Sequence, residues 1–331
     1  MSFGAMPAGD PVTRHRIEGG GLTAWILSYG AVLQDLRFEG HPHPLVLGFE
    51  RFEPYLTSSP YFGAIAGRCA NRITNASFEI DGKTFQLDRN VEGIHSLHGG
   101  SKGMGKRNWD VVGIGPDSVT LEYIADNGEM GYPGKLSARV TYTCLPDGIF
   151  DIRLHATTDT PTLCNLAHHT YWALDDTGDT AHHLLQVDAD HYVEVDDLFI
   201  PTGTVANVAG TRFDFRTTRP IADETLIDHN LCLSSEREPL RRVARLMSTQ
   251  SDVSMEVLTT EPGLQVYDGY KIDIDIPGLE QKHYGPNAGL ALEPQVWPDA
   301  INHDSFPNAV LRPDDTYRQH TQFKFSKGPA S

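Results

Sequence analysis

The sequence predicts an all-β protein, a large antiparallel β-sandwich whose single domain spans residues 1–331. Three observations carry that expectation. Long stretches alternate apolar and polar residues with period two, which buries one face of a strand and solvates the other. Tight-turn dipeptides separate these stretches, and 31 glycines and 21 prolines punctuate the chain. Helical periodicity is nearly absent, with only ADETLIDHN, residues 222–230, offering a short helix.

The first clear unit is SFEIDGKTFQL. Phe78 and Ile80 share a face, Asp81-Gly82 supplies the positive φ angles of a two-residue turn, and Phe85 and Leu87 return. Next, Val119, Leu121 and Tyr123 alternate with Thr120 and Glu122. After a GYPG turn, Leu136, Ala138, Val140, Tyr142 and Cys144 do the same. Pro146-Asp147-Gly148 then breaks the chain before Phe150, Ile152 and Leu154. No linker-like composition shift and no fixed repeat appears. Two sheets packed face to face satisfy this pattern.

Charge and cysteine usage narrow the function classes. With 27 Lys and Arg against 44 Asp and Glu the net charge is −17, which disfavours nucleic acid and anionic membrane surfaces as partners. Four scattered cysteines, Cys69, Cys144, Cys164 and Cys232, form no CxxC pair and read as reduced thiols of a cytoplasmic protein. The N-terminal MSFGAMPAGDPVTRH lacks a signal-peptide core, and no apolar run suggests a membrane span.

Four loop-like stretches hold unusual polar residues. In GRCANRI, Arg68 and Arg72 flank Asn71 among small and apolar neighbours. Two solvated arginines are the ordinary case, but a guanidinium against buried surface needs a carboxylate or a ligand's oxygens. IHSLHGG sets His95 and His98 three apart, a spacing that suits a metal on a helix. The following glycines and the missing third ligand favour instead a backbone turning closely around a bound molecule. NLAHHTYW puts His168 beside His169, and neighbours on a strand face opposite ways. One core and one solvated histidine is the mundane alternative; a general acid or base is the functional one. In LALEPQVWPDAINH, Glu293 ends an apolar run before Pro294, which is expected to stop strand pairing. A buried carboxylate there is costly unless it works, and burial raises its pKa toward a useful range. Trp297 can stack on a sugar or pack in the core.

Taken in order, GRCANRITNASFEIDGKTFQL, SLHGG, NLAHHTYW, IPTGTVANVAGTRFDFR, DHNLCL, PGLQVYDG and LEPQVWPDAINHDSFPNAVLRPDDTYR resemble the aldose 1-epimerase (galactose mutarotase) family, from about Gly21 to near the C-terminus. The resemblance implies a sugar cleft on a β-sandwich, no metal or organic cofactor, and interconversion of the α and β anomers of a free monosaccharide. It implies Glu293 as general base and His169 as general acid. His98, Arg72 and Asp228 would hold sugar oxygens, with Asn71 and Gln265 as further binding positions. It leaves a monomer or a homodimer open. The family more often has Asn where His168 stands and Thr where Pro294 stands, which touches sugar preference or pH optimum.

Two rivals keep the fold. A charged or phosphorylated hexose would want extra cations, and Arg68, Lys102 and Arg107 are at hand in sequence. A non-catalytic sugar-binding module would need neither Glu293 nor His169. A glycosidase would need two carboxylates flanking the bond; Glu293 is the one strong candidate besides the binding residue Asp228, and the separation of the two in space decides the point.

Overall fold

The computed structural model describes residues 1–221 and 226–328. Its largest sheet has nine antiparallel strands. In spatial order they are Asp110–Ile114, Ser118–Ala125, Leu136–Leu145, Ile149–Thr158, Tyr317–Lys327, Val253–Thr259, Arg241–Ser248, His183–Val187 and Arg219–Pro220. A six-stranded sheet runs Tyr171–Trp172, Leu290–Gln295, Gly263–Tyr267, Asp228–Cys232, His191–Val195 and Pro201–Asn207. A four-stranded meander, from Ser2–Ala5 to Leu33–Phe38, packs against strands Ser118–Ala125 and Leu136–Leu145 of the large sheet.

The alternating residues do what their period requires. Ala138, Val140, Tyr142, Ile152, Leu154, Val257 and Phe323 of the large sheet join Leu264, Val266, Leu290 and Leu292 of the smaller one in a continuous buried cluster. Trp172 lies against Phe323 with ring centroids 4.4 Å apart, and Tyr142 stacks on Phe150 at 5.6 Å. Tyr142 carries a hydroxyl into this apolar layer and satisfies it by donating to the Ala31 carbonyl at 2.8 Å.

The expected turns are present where their residue types permit positive φ. Asp81 (52°) and Gly82 (75°) close the hairpin in which Ile80 pairs with Lys83. Asp147 and Gly148 turn the chain so that Leu145 pairs with Ile149.

Two expectations need correction. Of the helix expected over 222–230, residues 222–225 lie outside the described residues, and Asp228 onward is strand Asp228–Cys232. Nor does Pro294 end its strand: Leu290–Gln295 runs through it, with Pro294 opposite Leu264. The flanking strand Tyr171–Trp172 pairs only with Ala291 and Leu290, so the missing N–H breaks no ladder on that side. The Pro294 carbonyl accepts a hydrogen bond from the Gln319 side chain at 2.6 Å.

Candidate active site

Where the smaller sheet meets the loops, a cleft of about 270 Å³ opens, on the scale of a monosaccharide. Its lining includes Asn71, Arg72, His98, His169, Asp228 and Glu293. Gln265 lies against it, donating to Asp228 Oδ1 at 2.6 Å. The seven positions come from six separate places in the chain, Asn71 and Arg72 being neighbours, and converge through strand register. Gln265 stands opposite Glu293 on one ladder and opposite Asn230 on the next, beside Asp228.

Glu293 and His169 face each other with Nε2 and Oε1 3.5 Å apart. Both side chains are nearly fully buried, and His169 Nδ1 and Glu293 Oε2 have no hydrogen-bond partner. Burial opposes charge on each. The Glu293 carboxyl is pushed well above its ordinary range, by burial first and by Asp228 second. The His169 imidazole is pushed down to about 4, again chiefly by burial. These shifts reverse the ordinary order of proton affinity, so the neutral carboxyl–imidazole form of the pair is favoured over the charged one.

His98 sits beside them, its ring 5.0 Å from that of His169. The Asn71 N–H donates to His98 Nδ1 at 3.2 Å, and the His98 N–H donates back to the Asn71 carbonyl at 3.0 Å. With Nδ1 accepting, the neutral ring carries its proton on Nε2 and offers a donor. Burial and the neighbouring His169 hold His98 neutral. His98, His169 and Glu293 place donor atoms within 4.8 Å of one another, which suggests a cation site. The His98 tautomer argues against it, because neither of its nitrogens keeps a free lone pair.

Asp228 is occupied on both oxygens, by Gln265 on Oδ1 and by Arg72 on Oδ2 at 3.2 Å. A carboxylate so engaged is a positioned acceptor.

The adjacent histidines part as strand geometry demands. Ala167–His169 is a strand, so His169 faces the cleft and His168 the core, against Tyr142 and Phe323. Neither reaches open solvent: exposures are 3% and 4%. Thr170 meets His168 Nε2 at 3.1 Å.

Arg68, weighed for a ligand or a carboxylate, meets neither. Its guanidinium donates to the carbonyls of Pro133, Gly134, Ala125 and Asp126 at 2.8–3.2 Å and lies over the Tyr132 ring. Arg107 pairs with Glu129 at 3.4 Å. Neither of them lines the cleft, nor does Lys102. Replacing Arg68 with Met should therefore cost about 2–4 kcal/mol, through carbonyls left unpaired. Denaturant melts should show the loss while turnover per folded molecule stays unchanged. A fall in turnover without a stability loss would contradict this placement.

Trp297 also departs from its sugar-stacking option. It donates to the Pro262 carbonyl at 2.9 Å and packs on Phe306, away from the cleft lining. Aromatic walls come instead from Tyr61, Tyr171 and Tyr267. Tyr61 lies 4.7 Å from the His98 ring and 5.9 Å from that of His169. Its position in PYFGA, just before GRCANRI, was the available signal. Lys271 lines the cleft as well, and nothing in its local sequence marked it.

Buried neutral histidines also set the acid response. His168 is pushed down to about 3, and His169 and His229 to about 4, chiefly by burial. Unfolded, each titrates near 6.5. Their stabilisation is therefore complete above pH 6.5 and is lost as pH falls toward 4 and then 3. Glu293, shifted upward, works oppositely: its contribution is present below 4.5 and lost as pH rises through its folded pKa. Among the described residues, eight histidines are shifted down in this way, His98 and His183 among them, against five carboxyls shifted up, Asp35, Glu261, Asp268, Glu293 and Asp299, so thermal melts should show the melting temperature falling from pH 7 to pH 4.5. A flat profile would refute the buried-neutral assignment.

A monosaccharide-sized cleft that sets a buried carboxyl against a buried imidazole, walled by aromatic rings, suits an isomerase of carbohydrates. The family model described as aldose 1-epimerase matches residues 14–324, and the chain belongs to that family. It is 37% identical to the galactose mutarotase of Rattus norvegicus, with 98% of this chain and 97% of that protein aligned. It is 34% identical to the aldose 1-epimerase of Escherichia coli (strain K12), over 92% of each. Among solved structures, an aldose epimerase homologue from C. elegans superposes with a TM-score of 0.89 at 36% identity, covering 96% of this chain and 99% of that one.

Proposed function

We propose that this cleft interconverts the α and β anomers of free aldoses such as galactose and glucose, with Glu293 and His169 as the acid–base pair. The observation that carries the proposal is their buried 3.5 Å apposition beside the neutral donor His98. Glu293 takes the proton of the anomeric hydroxyl while protonated His169 gives one to the ring oxygen. The C1–O5 bond breaks to leave the open-chain aldehyde. Rotation about C1–C2 presents the other carbonyl face, and closure returns both protons. The pair carries one proton throughout, alternating between carboxylate–imidazolium and carboxyl–imidazole forms. Burial disfavours the charged form and so lowers the cost of passing through the neutral one. His98 and Arg72 donate to sugar oxygens on which negative charge develops, with Asn71, Asp228 and Gln265 completing the grip.

The whole chain acts as one catalytic domain, as a monomer or homodimer. Unpaired, buried thiols at Cys69, Cys144, Cys164 and Cys232 support a cytoplasmic setting. No helix among the described residues is long and apolar enough to cross a membrane.

Polarimetry on freshly dissolved α-D-galactose and α-D-glucose tests the proposal. Acceleration over the spontaneous rate is expected with both. No acceleration with either would overturn the neutral-aldose assignment and turn attention to charged hexoses.

A further inference from the structure

Arg72 is under-constrained by hydrogen bonds. Beyond the Asp228 contact at 3.2 Å it has only a long 3.5 Å approach to Asn71 Oδ1, and its buried Nε–H has no acceptor. A guanidinium meant to grip sugar oxygens needs its plane fixed. The loop between strands His191–Val195 and Pro201–Asn207 brings a ring to it. The Arg72 guanidinium carbon lies 5.4 Å from the Phe199 centroid, and the Lys271 ammonium lies 5.0 Å from the same ring. Both cations line the cleft, while Phe199 stands behind them.

The loop is built to present that ring. Asp196 Oδ1 accepts from the N–H groups of Leu198 and Ile200, and the Asp196 carbonyl accepts from Phe199. This holds Phe199 at φ 61°, a region in which glycine or asparagine sits at lower cost. A bulky aromatic stands there against backbone preference.

We propose that Phe199 is a positioning residue for the sugar-binding cleft, its π face orienting the Arg72 guanidinium toward substrate oxygens. The inference rests on Arg72 holding the sugar, as proposed above. A cation over an aromatic face is stabilised by the ring quadrupole, and at a partly buried site its loss changes an equilibrium by roughly three- to tenfold.

Phe199→Leu keeps apolar bulk and the same φ but removes the π face; Phe199→Tyr keeps the face. Two readouts separate positioning from packing. The first is KM against kcat for α-D-galactose. The second is the NMR resonance of the Arg72 Nε–H in arginine-labelled protein, which needs no sugar. Phe199→Leu should raise KM roughly three- to tenfold, affect kcat less and move the Arg72 resonance. Phe199→Tyr should restore both toward wild type. A wild-type KM with an unmoved resonance in Phe199→Leu overturns the proposal, as does a Tyr variant as impaired as Leu. A moved resonance in a protein inert toward aldoses upholds the positioning and overturns only the proposed function.

Discussion

Glu293→Gln should slow enzymatic mutarotation of α-D-galactose by roughly 10²–10⁴, the range typical for a positioned acid–base group. The substitution is nearly isosteric, and the site makes it informative. Glu293 Oε2 accepts no hydrogen bond, so the amide breaks no existing contact there. The carboxyl is 2% exposed and lies near the Asp228 charge, so a neutral amide relieves a buried electrostatic burden. The melting temperature should therefore hold or rise while activity disappears. Measured together, polarimetry and thermal unfolding leave little room for a trivial explanation. Retention of the wild-type rate would remove Glu293 from the chemistry. Loss of rate accompanied by collapse of stability would mean that the site had been held together by the carboxyl and not used by it.

The second large effect separates two neighbours. His169→Ala should lower kcat by roughly 10²–10⁴, because it removes the imidazole that faces Glu293 across the cleft. His168→Asn should leave the rate at the wild-type level and cost about 1 kcal/mol of stability, through a gap left against Tyr142 and Phe323. It should also reduce the acid sensitivity of the melting temperature, since one proton-excluding imidazole is gone. Equal catalytic loss in the two variants would refute the division of labour.

Much of this was legible from residue order because β-structure writes itself with period two. The Asp81-Gly82 hairpin and the opposed directions of His168 and His169 follow from local geometry alone. Other features depended on what lies across space. Whether Arg68 faces a ligand or four carbonyls is decided by the turn 125–134, more than fifty residues away. Pro294 continues its strand only because the neighbour Tyr171–Trp172 is too short to need its N–H. Trp297 found a carbonyl and a phenyl ring instead of the cleft. Tyr61 reaches the two histidines from a turn with φ 67°, a conformation that its own residue type does not announce.

The placement of Tyr317–Lys327 in the middle of the nine-stranded sheet bears on how the molecule is born. During synthesis every other strand of that sheet leaves the ribosome first. Until this one arrives, Ile149–Thr158 and Val253–Thr259 are open edges with unpaired backbone groups, the kind of surface that invites association between nascent chains. The same strand carries Gln319, whose amide holds the Pro294 carbonyl next to Glu293. Sheet closure thus also brings in the hydrogen bond beside the proposed base. A nascent chain interrupted before residue 317 leaves both of these strand edges unpaired, and those edges are what quality control would meet first.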